Sequence, residues 1–268
     1  MDGAVRSVWA ENFDTESQVL RQVAPHAQHR QDYANNVALN VQYPGCVVVH
    51  SNGRHHRDLT TDEKYEVIRA NVALLKPLQV GIAILTVDGQ RFAWEFNLRG
   101  FDVESDDEAR DPKSIAYLTD CGVDFNRLPR DGIDGCKLRC LLQDSGLLKA
   151  RPSWATFTGA YHVAYFVTIM SGKKLPDSVD AFMEMVRELV GPLYDVKRLA
   201  REHDGSCVGA LSNVVKKLAI VPPGEEISKS KPAGTGSMLA LLAFQTLKQK
   251  LGTNTEKYSH KLCGLQSI

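Results

Sequence analysis

The sequence predicts an α/β (α+β) fold in which a mixed β-sheet is flanked by helices. Strand-like stretches with alternating apolar residues are concentrated in the amino-terminal part of the chain. Helical apolar spacing dominates the remainder, interrupted by one strand-like stretch, SWATF, at 153–157. A length of 268 residues, with 43% hydrophobic and 24% charged residues, is typical of one large globular domain. We therefore expect a single domain built around one sheet.

The amino-terminal part is expected to contain one helix followed by two strands. Helical spacing from Val8 through Phe13 to Val23 predicts an amphipathic helix that ends in the loop around Pro25. Residues 36–43 alternate apolar and polar side chains, and Pro44-Gly45 ends this strand. A second extended stretch follows at 46–50.

The next elements are a capped helix and a β-hairpin. Thr60 and Glu63 have the spacing of a capping box, which predicts a helix that continues to Lys76 and is stopped by Pro77. The apolar stretches 78–87 and 91–98 are separated by Asp88-Gly89-Gln90, a turn signal. These two stretches are expected to pair as a hairpin.

The rest of the chain is expected to be mainly helical. Helices are predicted at 112–121, 133–145, 160–171, 178–190, 196–203, 208–218 and 235–250. The polar segments 222–232 and 252–268 are expected to be mobile. Strands followed by helices with one inserted strand fit a ribonuclease H-like fold, which is one option among several.

Charge and cysteine content exclude several classes of protein. Lys plus Arg is 32 and Asp plus Glu is 32, so no global basic field indicates nucleic acid or an anionic membrane. Six cysteines in this length are too few for a disulfide scaffold, and we expect reduced thiols. Cys136 and Cys140 lie one helical turn apart and could share a metal, but buried thiols are the simpler interpretation. Without a signal peptide or a long apolar run, an intracellular soluble protein is expected.

The common catalytic motifs of phosphate-binding loops, nucleophile elbows and zinc proteases are absent from the sequence. Gly234-Thr235-Gly236 is interpreted as a turn that enters a helix. His55-His56 lies in a charged stretch and is interpreted as solvated surface. No individual motif therefore assigns a chemical function to this chain.

Four segments read together resemble the Caf-one/Pop-two family of deadenylases, the exonuclease subunit of the Ccr-Not mRNA-decay assembly. They are NVALNVQYPG at 36–45, ANVALLKPLQVGIAI at 70–84, WATFTGAYHVAYF at 154–166, and LYDVKRLA with PAGTGSMLALLAF within 193–244. The resemblance is in register from VWAEN at 8–12 to about residue 251. It implies a single ribonuclease H-like domain of DEDD exonuclease type over 1–251, followed by a flexible tail over 252–268.

The resemblance also implies a catalytic site, and this chain departs from it at every position. In the family, four carboxylates hold two Mg²⁺ ions and a histidine helps to activate water. At the matching positions this chain has two amides for two acids, a histidine for the third acid, a lysine for the histidine and a glycine for the last acid. They are Asn40, Gln42, His162, Lys231 and Gly236.

We therefore expect a catalytically inactive, deadenylase-like pseudoenzyme with no metal and no other cofactor. The resemblance implies that its partners are a Not-one-type scaffold and a Ccr-type leucine-rich-repeat deadenylase, with RNA as a further candidate and no membrane. It implies residence in the nucleus and the cytoplasm.

Two alternatives remain open from the sequence. In the first, the former catalytic cleft binds RNA or another anion without metal, through Lys231, His162, Asn40 and Gln42, and more strongly below about pH 6.5 as the imidazole is protonated. In the second, the protein is a weakly active 3′–5′ poly(A) exoribonuclease with relocated acids. Asp195, Asp32 and Glu95 are candidates for such acids, although structural capping is the simpler interpretation of Asp195.

Overall fold

The computed structural model describes residues 5–24, 36–51, 53–222 and 225–266, and its centre is a six-stranded mixed sheet. The sheet has the order β1-β4-β3-β2-β5-β6. Strands β2, β3 and β4 are antiparallel neighbours, whereas β1 is parallel to β4, and β2, β5 and β6 are parallel. The strands are β1 (Arg6–Val8), β2 (Asn36–Gln42), β3 (Gln79–Leu85), β4 (Arg91–Asn97), β5 (Ser153–Thr156) and β6 (Leu193–Asp195).

Helices flank both faces of this sheet, as the order of patterns in the sequence predicts. They are α1 (Phe13–Val23), α2 (Thr61–Leu74), α3 (Pro112–Asp120), α4 (Leu128–Asp131), α5 (Gly135–Asp144), α6 (Ala160–Ser171), α7 (Val179–Leu189), α8 (Val196–His203), α9 (Leu211–Lys217) and α10 (Pro232–Leu251). The capping box at Thr60 and Glu63 and the hairpin β3–β4 are both confirmed. None of the helices in the described residues is long and apolar enough to cross a membrane.

The two faces of the sheet carry side chains of different size. Large apolar residues such as Leu39, Ile82 and Trp94 point to one face and join the main core cluster. The opposite face carries small residues, among them Ala38, Gly81 and Ala83, beneath α10. A Cβ atom at Gly81 would lie 1.9 Å from the carbonyl oxygen of Ala233, so only glycine allows this approach. The amino-terminal end of α10 therefore lies directly on β3.

The start of the first helix differs from the sequence-based assignment. Val8 belongs to β1 and pairs with Phe96, and the helix begins only at Phe13. The side chain of Asn12 accepts a hydrogen bond from the Trp9 amide and donates one to the Ser7 carbonyl, which fixes a turn between strand and helix. The helix ends at Val23, just before Pro25 as expected, and the loop around Pro25 lies outside the described residues.

The stretch 46–50 was predicted to be extended, but it does not join the sheet. The Asn71 side chain on α2 replaces a neighbouring strand as its hydrogen-bond partner. Its Oδ1 accepts from the amides of Val47 and Val48, and its Nδ2 donates to the Val48 carbonyl. A buried amide side chain can therefore satisfy the backbone hydrogen bonds of an extended segment that pairs with no strand.

The carboxy-terminal segment from Gly252 differs from the flexible tail that its polar sequence predicts. Residues 252–258 form a 3₁₀ helix, and Leu262, Cys263 and Leu265 are buried. The His260 amide donates to the Leu193 carbonyl at 2.6 Å. The packing is irregular, so it leaves no apolar period in the sequence. Part of the other polar segment, 222–232, lies outside the described residues.

The cysteines also correct one expectation. All six are free thiols, but Cys136 and Cys140 are exposed rather than buried. They lie on the outer surface of α5, whose Leu138, Leu141 and Leu142 face the core.

Candidate functional site

Three of the five positions singled out by the resemblance meet where β2 passes under α10. Asn40 and Gln42 are alternate residues of β2 and share the face beneath α10. Gln42 Nε2 donates to Asn40 Oδ1 at 2.8 Å. A Cβ atom placed on Gly236 would lie 2.7 Å from Asn40 Nδ2, so the helix backbone is already in close contact with this amide. Asn40, Gln42 and Gly236 therefore form one compact group.

His162, in the first turn of α6, makes contact with the backbone of β2 rather than with these side chains. Its Nδ1 lies 3.1 Å from the Val41 amide nitrogen and 3.0 Å from the Val41 carbonyl oxygen. Strand β5 pairs with β2 only as far as Ala38, so the imidazole serves backbone groups beyond the end of that ladder. Burial lowers the pKa of His162 to about 4. The imidazole is therefore neutral at pH 6.5, and protonation there cannot strengthen anion binding as the sequence suggested.

Lys231, the residue before α10, is directed towards the amino-terminal strand. Its Nζ donates to the Val5 carbonyl oxygen at 2.7 Å. The backbone of Lys231 has a φ of 52°, a left-handed conformation that is strained for a lysine. A metal-free anion site would need free hydrogen-bond donors. Lys231 Nζ and Gln42 Nε2 are instead already bonded, to the Val5 carbonyl and to Asn40.

A buried carboxylate occupies the neighbouring strand β4. Glu95 is 3% exposed, and its Oε2 accepts from the amides of Ala233 and Gly234 at 3.0 and 3.2 Å. Burial raises the pKa of Glu95 to about 7, against the opposing effects of these two hydrogen bonds and of the nearby Lys231. Glu95 therefore holds the first turn of α10 on the sheet, in register with Gly81.

Two further amides belong to this polar group, and the sequence reasoning did not find them. Gln79 is in register with Gln42 on one side and with Asn97 on the other. Gln79 Nε2 donates to Asn97 Oδ1 at 2.8 Å, and Asn97 Nδ2 donates to the Val8 carbonyl. The sequence did contain a signal for this cluster, because each of the apolar strands β2, β3 and β4 has a polar residue at one end. Such a pattern indicates that these strand ends face one polar cluster.

The structure confirms the structural interpretation of Asp195. Its carboxylate is 1% exposed and accepts hydrogen bonds from four backbone amides, those of Thr158, Gly159, Lys197 and Cys263. It caps α8 and joins the β5–α6 loop to the carboxy-terminal segment. Asp32 lies outside the described residues.

The residues at the five positions do not fit a pair of divalent ions. Mg²⁺ is held mainly by carboxylate and other oxygen ligands, and two adjacent dications require negative ligands between them. No carboxylate is present at these positions, Asn40 Oδ1 is bonded to Gln42, and His162 Nδ1 faces the backbone. In the described parts of the chain, no group of three His, Cys, Asp or Glu residues is arranged to hold a metal.

Glu95 and His162, whose pKa values burial shifts in opposite directions, should give opposite contributions to stability between pH 4 and 7. A carboxyl whose pKa is raised from 4.5 to about 7 stabilises the fold below pH 4.5, and this contribution is lost as the pH rises to 7. A histidine whose pKa is lowered from 6.5 to about 4 stabilises the fold above pH 6.5, and this contribution is lost as the pH falls to 4. Each effect is on the order of 3 kcal/mol.

Urea unfolding at several pH values checks this prediction with two single variants. Relative to the wild type, Glu95→Gln should gain about 3 kcal/mol of stability between pH 4.5 and 7. His162→Gln should lose a similar amount relative to the wild type between pH 4 and 6.5. Stability curves for both variants that run parallel to the wild-type curve would show that neither group titrates in this range.

Comparisons with known proteins agree with this architecture. The family model described as CAF1 family ribonuclease matches residues 15–144. A probable CCR4-associated factor 1 homolog (homolog 7) of Arabidopsis thaliana is 30% identical, and the match covers 97% of this chain and 93% of the relative.

Solved structures share the fold over nearly the whole chain. The Mg²⁺- and Mn²⁺-bound form of S. pombe Pop2p has a TM-score of 0.75 and 26% identity, over 97% of this chain and 99% of that one. A structure of the yeast NOT1 MIF4G domain co-crystallized with CAF1 has a TM-score of 0.72 and 23% identity, over 97% of this chain and 96% of the matched chain. The six-stranded sheet and its helices are thus the ribonuclease H-like, DEDD exonuclease-type fold that the sequence resemblance implies. On the fold and on the similarity across its length, the chain belongs to the CAF1 ribonuclease family.

Proposed function

We propose that this protein is a catalytically inactive member of its family that works through protein interactions in Ccr-Not-linked mRNA decay. One observation carries the proposal: Asn40, Gln42 and Gly236 are packed together with no carboxylate among them. Without negative ligands, the repulsion between two divalent ions is not compensated. The fold is retained although this site lacks the ligands for two-metal hydrolysis.

Incubation of the purified protein with a 3′ oligo(A) substrate and Mg²⁺ or Mn²⁺ tests this proposal. We expect no shortening of the substrate above that of a heat-killed control. Metal-dependent removal of 3′ adenosines that co-purifies with the protein would overturn the proposal. If that activity were then lost in a folded Glu95→Gln variant, the protein would be an exoribonuclease with a relocated acid.

The interaction part of the proposal names a Not-one-type scaffold as the partner. The yeast relative was co-crystallized with a NOT1 MIF4G domain, and its fold is shared over nearly the whole of this chain. Size-exclusion chromatography of this protein mixed with the MIF4G domain of its own Not-type scaffold should show a one-to-one complex. Separate elution of the two proteins, each at a concentration of tens of micromolar, would contradict this assignment. A Ccr-type leucine-rich-repeat deadenylase and residence in nucleus and cytoplasm belong to the same proposal.

The geometry does not favour the metal-free binding of RNA or another anion in the cleft. Lys231 is bonded to the Val5 carbonyl, His162 is neutral, and Gln42 Nε2 is bonded to Asn40. Fluorescence anisotropy with a short RNA at low salt provides the test. We expect that Lys231→Glu leaves any RNA binding unchanged. Salt-dependent binding that is lost in this variant would restore this alternative.

A further inference from the structure

Helix α5 presents two thiols to solvent on the same side, one turn apart. Cys136 and Cys140 are both exposed, and they line a shallow cavity of about 300 Å³ beside α1. Phe13 and Leu141 provide its apolar wall, and Arg21 lies at the same cavity. The two sulfurs therefore share an accessible cavity outside the polar group beneath α10.

The helical spacing allows the two sulfurs to be bridged by a third atom but not joined directly. Residues i and i+4 of a helix have Cβ atoms about 5–6 Å apart. A disulfide needs a Cβ–Cβ distance of about 3.5–4.5 Å, so Cys136 and Cys140 cannot be oxidised to one without unwinding the helix. Two sulfur–metal bonds of about 2.3 Å each span a larger gap, up to roughly 4.6 Å between sulfurs. A bridging atom fits where a direct bond does not.

Charged side chains surround the two thiols. Arg139 Nη2 donates to Cys136 Sγ at 3.1 Å. Lys137, Arg21 and Asp14 line the same cavity, so its walls carry charges of both signs. Asp134 caps α5 through the Cys136 amide and is also paired with Arg99, so its carboxylate is already engaged.

We propose that Cys136 and Cys140 form a two-sulfur binding site for a soft, thiophilic acceptor. Zinc is a poor candidate because its protein sites have four ligands, or three and a water. In the described residues, no third His, Cys, Asp or Glu is positioned to complete such a set. Soft ions and trivalent arsenic, in contrast, select sulfur ligands and can be held by two of them.

Phenylarsine oxide is the probe. Its reaction with the pair forms two sulfur–arsenic bonds, and the arsenic-bound oxygen leaves as water with the two thiol protons. Arsenic remains trivalent, so no oxidant or reductant is needed. Holding two thiols one turn apart makes the second bond intramolecular, which typically raises affinity by about 10²–10⁴-fold over one thiol.

The experiment compares the wild type with Cys136→Ser, Cys140→Ser and Cys46→Ser, because Cys46 is the third exposed thiol. Intact mass measured in excess monothiol should show one arsenic adduct per wild-type chain, removed by a dithiol. Either α5 variant should bind at least about 100-fold more weakly, whereas Cys46→Ser should bind like the wild type. Circular dichroism confirms that each variant is folded. Equal affinity in the wild type and both α5 variants, or loss of the adduct only in Cys46→Ser, would overturn the proposal.

Discussion

Replacing Asp195 by alanine is expected to lower the free energy of unfolding by about 3–5 kcal/mol. The substitution removes the acceptor of four backbone amides, which belong to the β5–α6 loop, the first turn of α8 and the carboxy-terminal segment. These amides are shielded from water, so the loss is not replaced by solvation. Three segments that are distant in sequence would lose their common partner.

Urea unfolding followed by circular dichroism measures this effect, with Ser178→Ala as the matched control. Ser178 is an exposed cap of α7 that accepts one hydrogen bond, from the Ala181 amide, and its loss should cost about 1 kcal/mol. Asp195→Asn keeps one acceptor oxygen and should fall between the two, which provides a measurable variant if the alanine protein does not fold. Equal losses in Asp195→Asn and Ser178→Ala would show that the carboxylate does not join these segments.

Restoring the family residues at all five positions should create a site for divalent ions. The variant combines Asn40→Asp, Gln42→Glu, His162→Asp, Lys231→His and Gly236→Asp. Without metal it should be less stable than the wild type, because the new carboxylates repel one another and an aspartate at 236 would contact residue 40. Binding of Mn²⁺ at about a hundred times its dissociation constant adds about 2.7 kcal/mol, or roughly 5–10 °C in melting temperature.

Differential scanning calorimetry with and without millimolar Mn²⁺ checks this result. The wild type should show no shift, and a four-fold variant that keeps Gly236 should show a smaller shift than the five-fold variant. Residues that act as one unit are not additive, so partial restoration is the informative control. If the five-fold variant is well folded and Mn²⁺ does not change its melting temperature, these positions do not correspond to the family's metal ligands.

The sequence by itself determined the elements with strong local signals. The capping box at Thr60 and Glu63 and the turn at 88–90 identified α2 and the β3–β4 hairpin, because the hydrogen bonds that define them join residues close in sequence. Sequence segments that match a known family over most of the chain predicted the fold and the family membership that the comparisons then showed. Short strands such as β1 and β6 carried too few residues for a period to be visible.

Only the tertiary structure decided what the polar residues do. His162 faces the backbone of β2, Glu95 holds α10 on the sheet, and Asp195 joins three segments. Apart from the Lys197 amide bonded to Asp195, these partners are far away in sequence. A side chain's role depends on which distant donors and acceptors are buried with it. The exposure of Cys136 was decided in the same way, since the side of α5 that faces the core depends on its neighbours in space. Strong local patterns determine the type of an element, whereas burial and long-range hydrogen bonds determine the chemistry of its side chains.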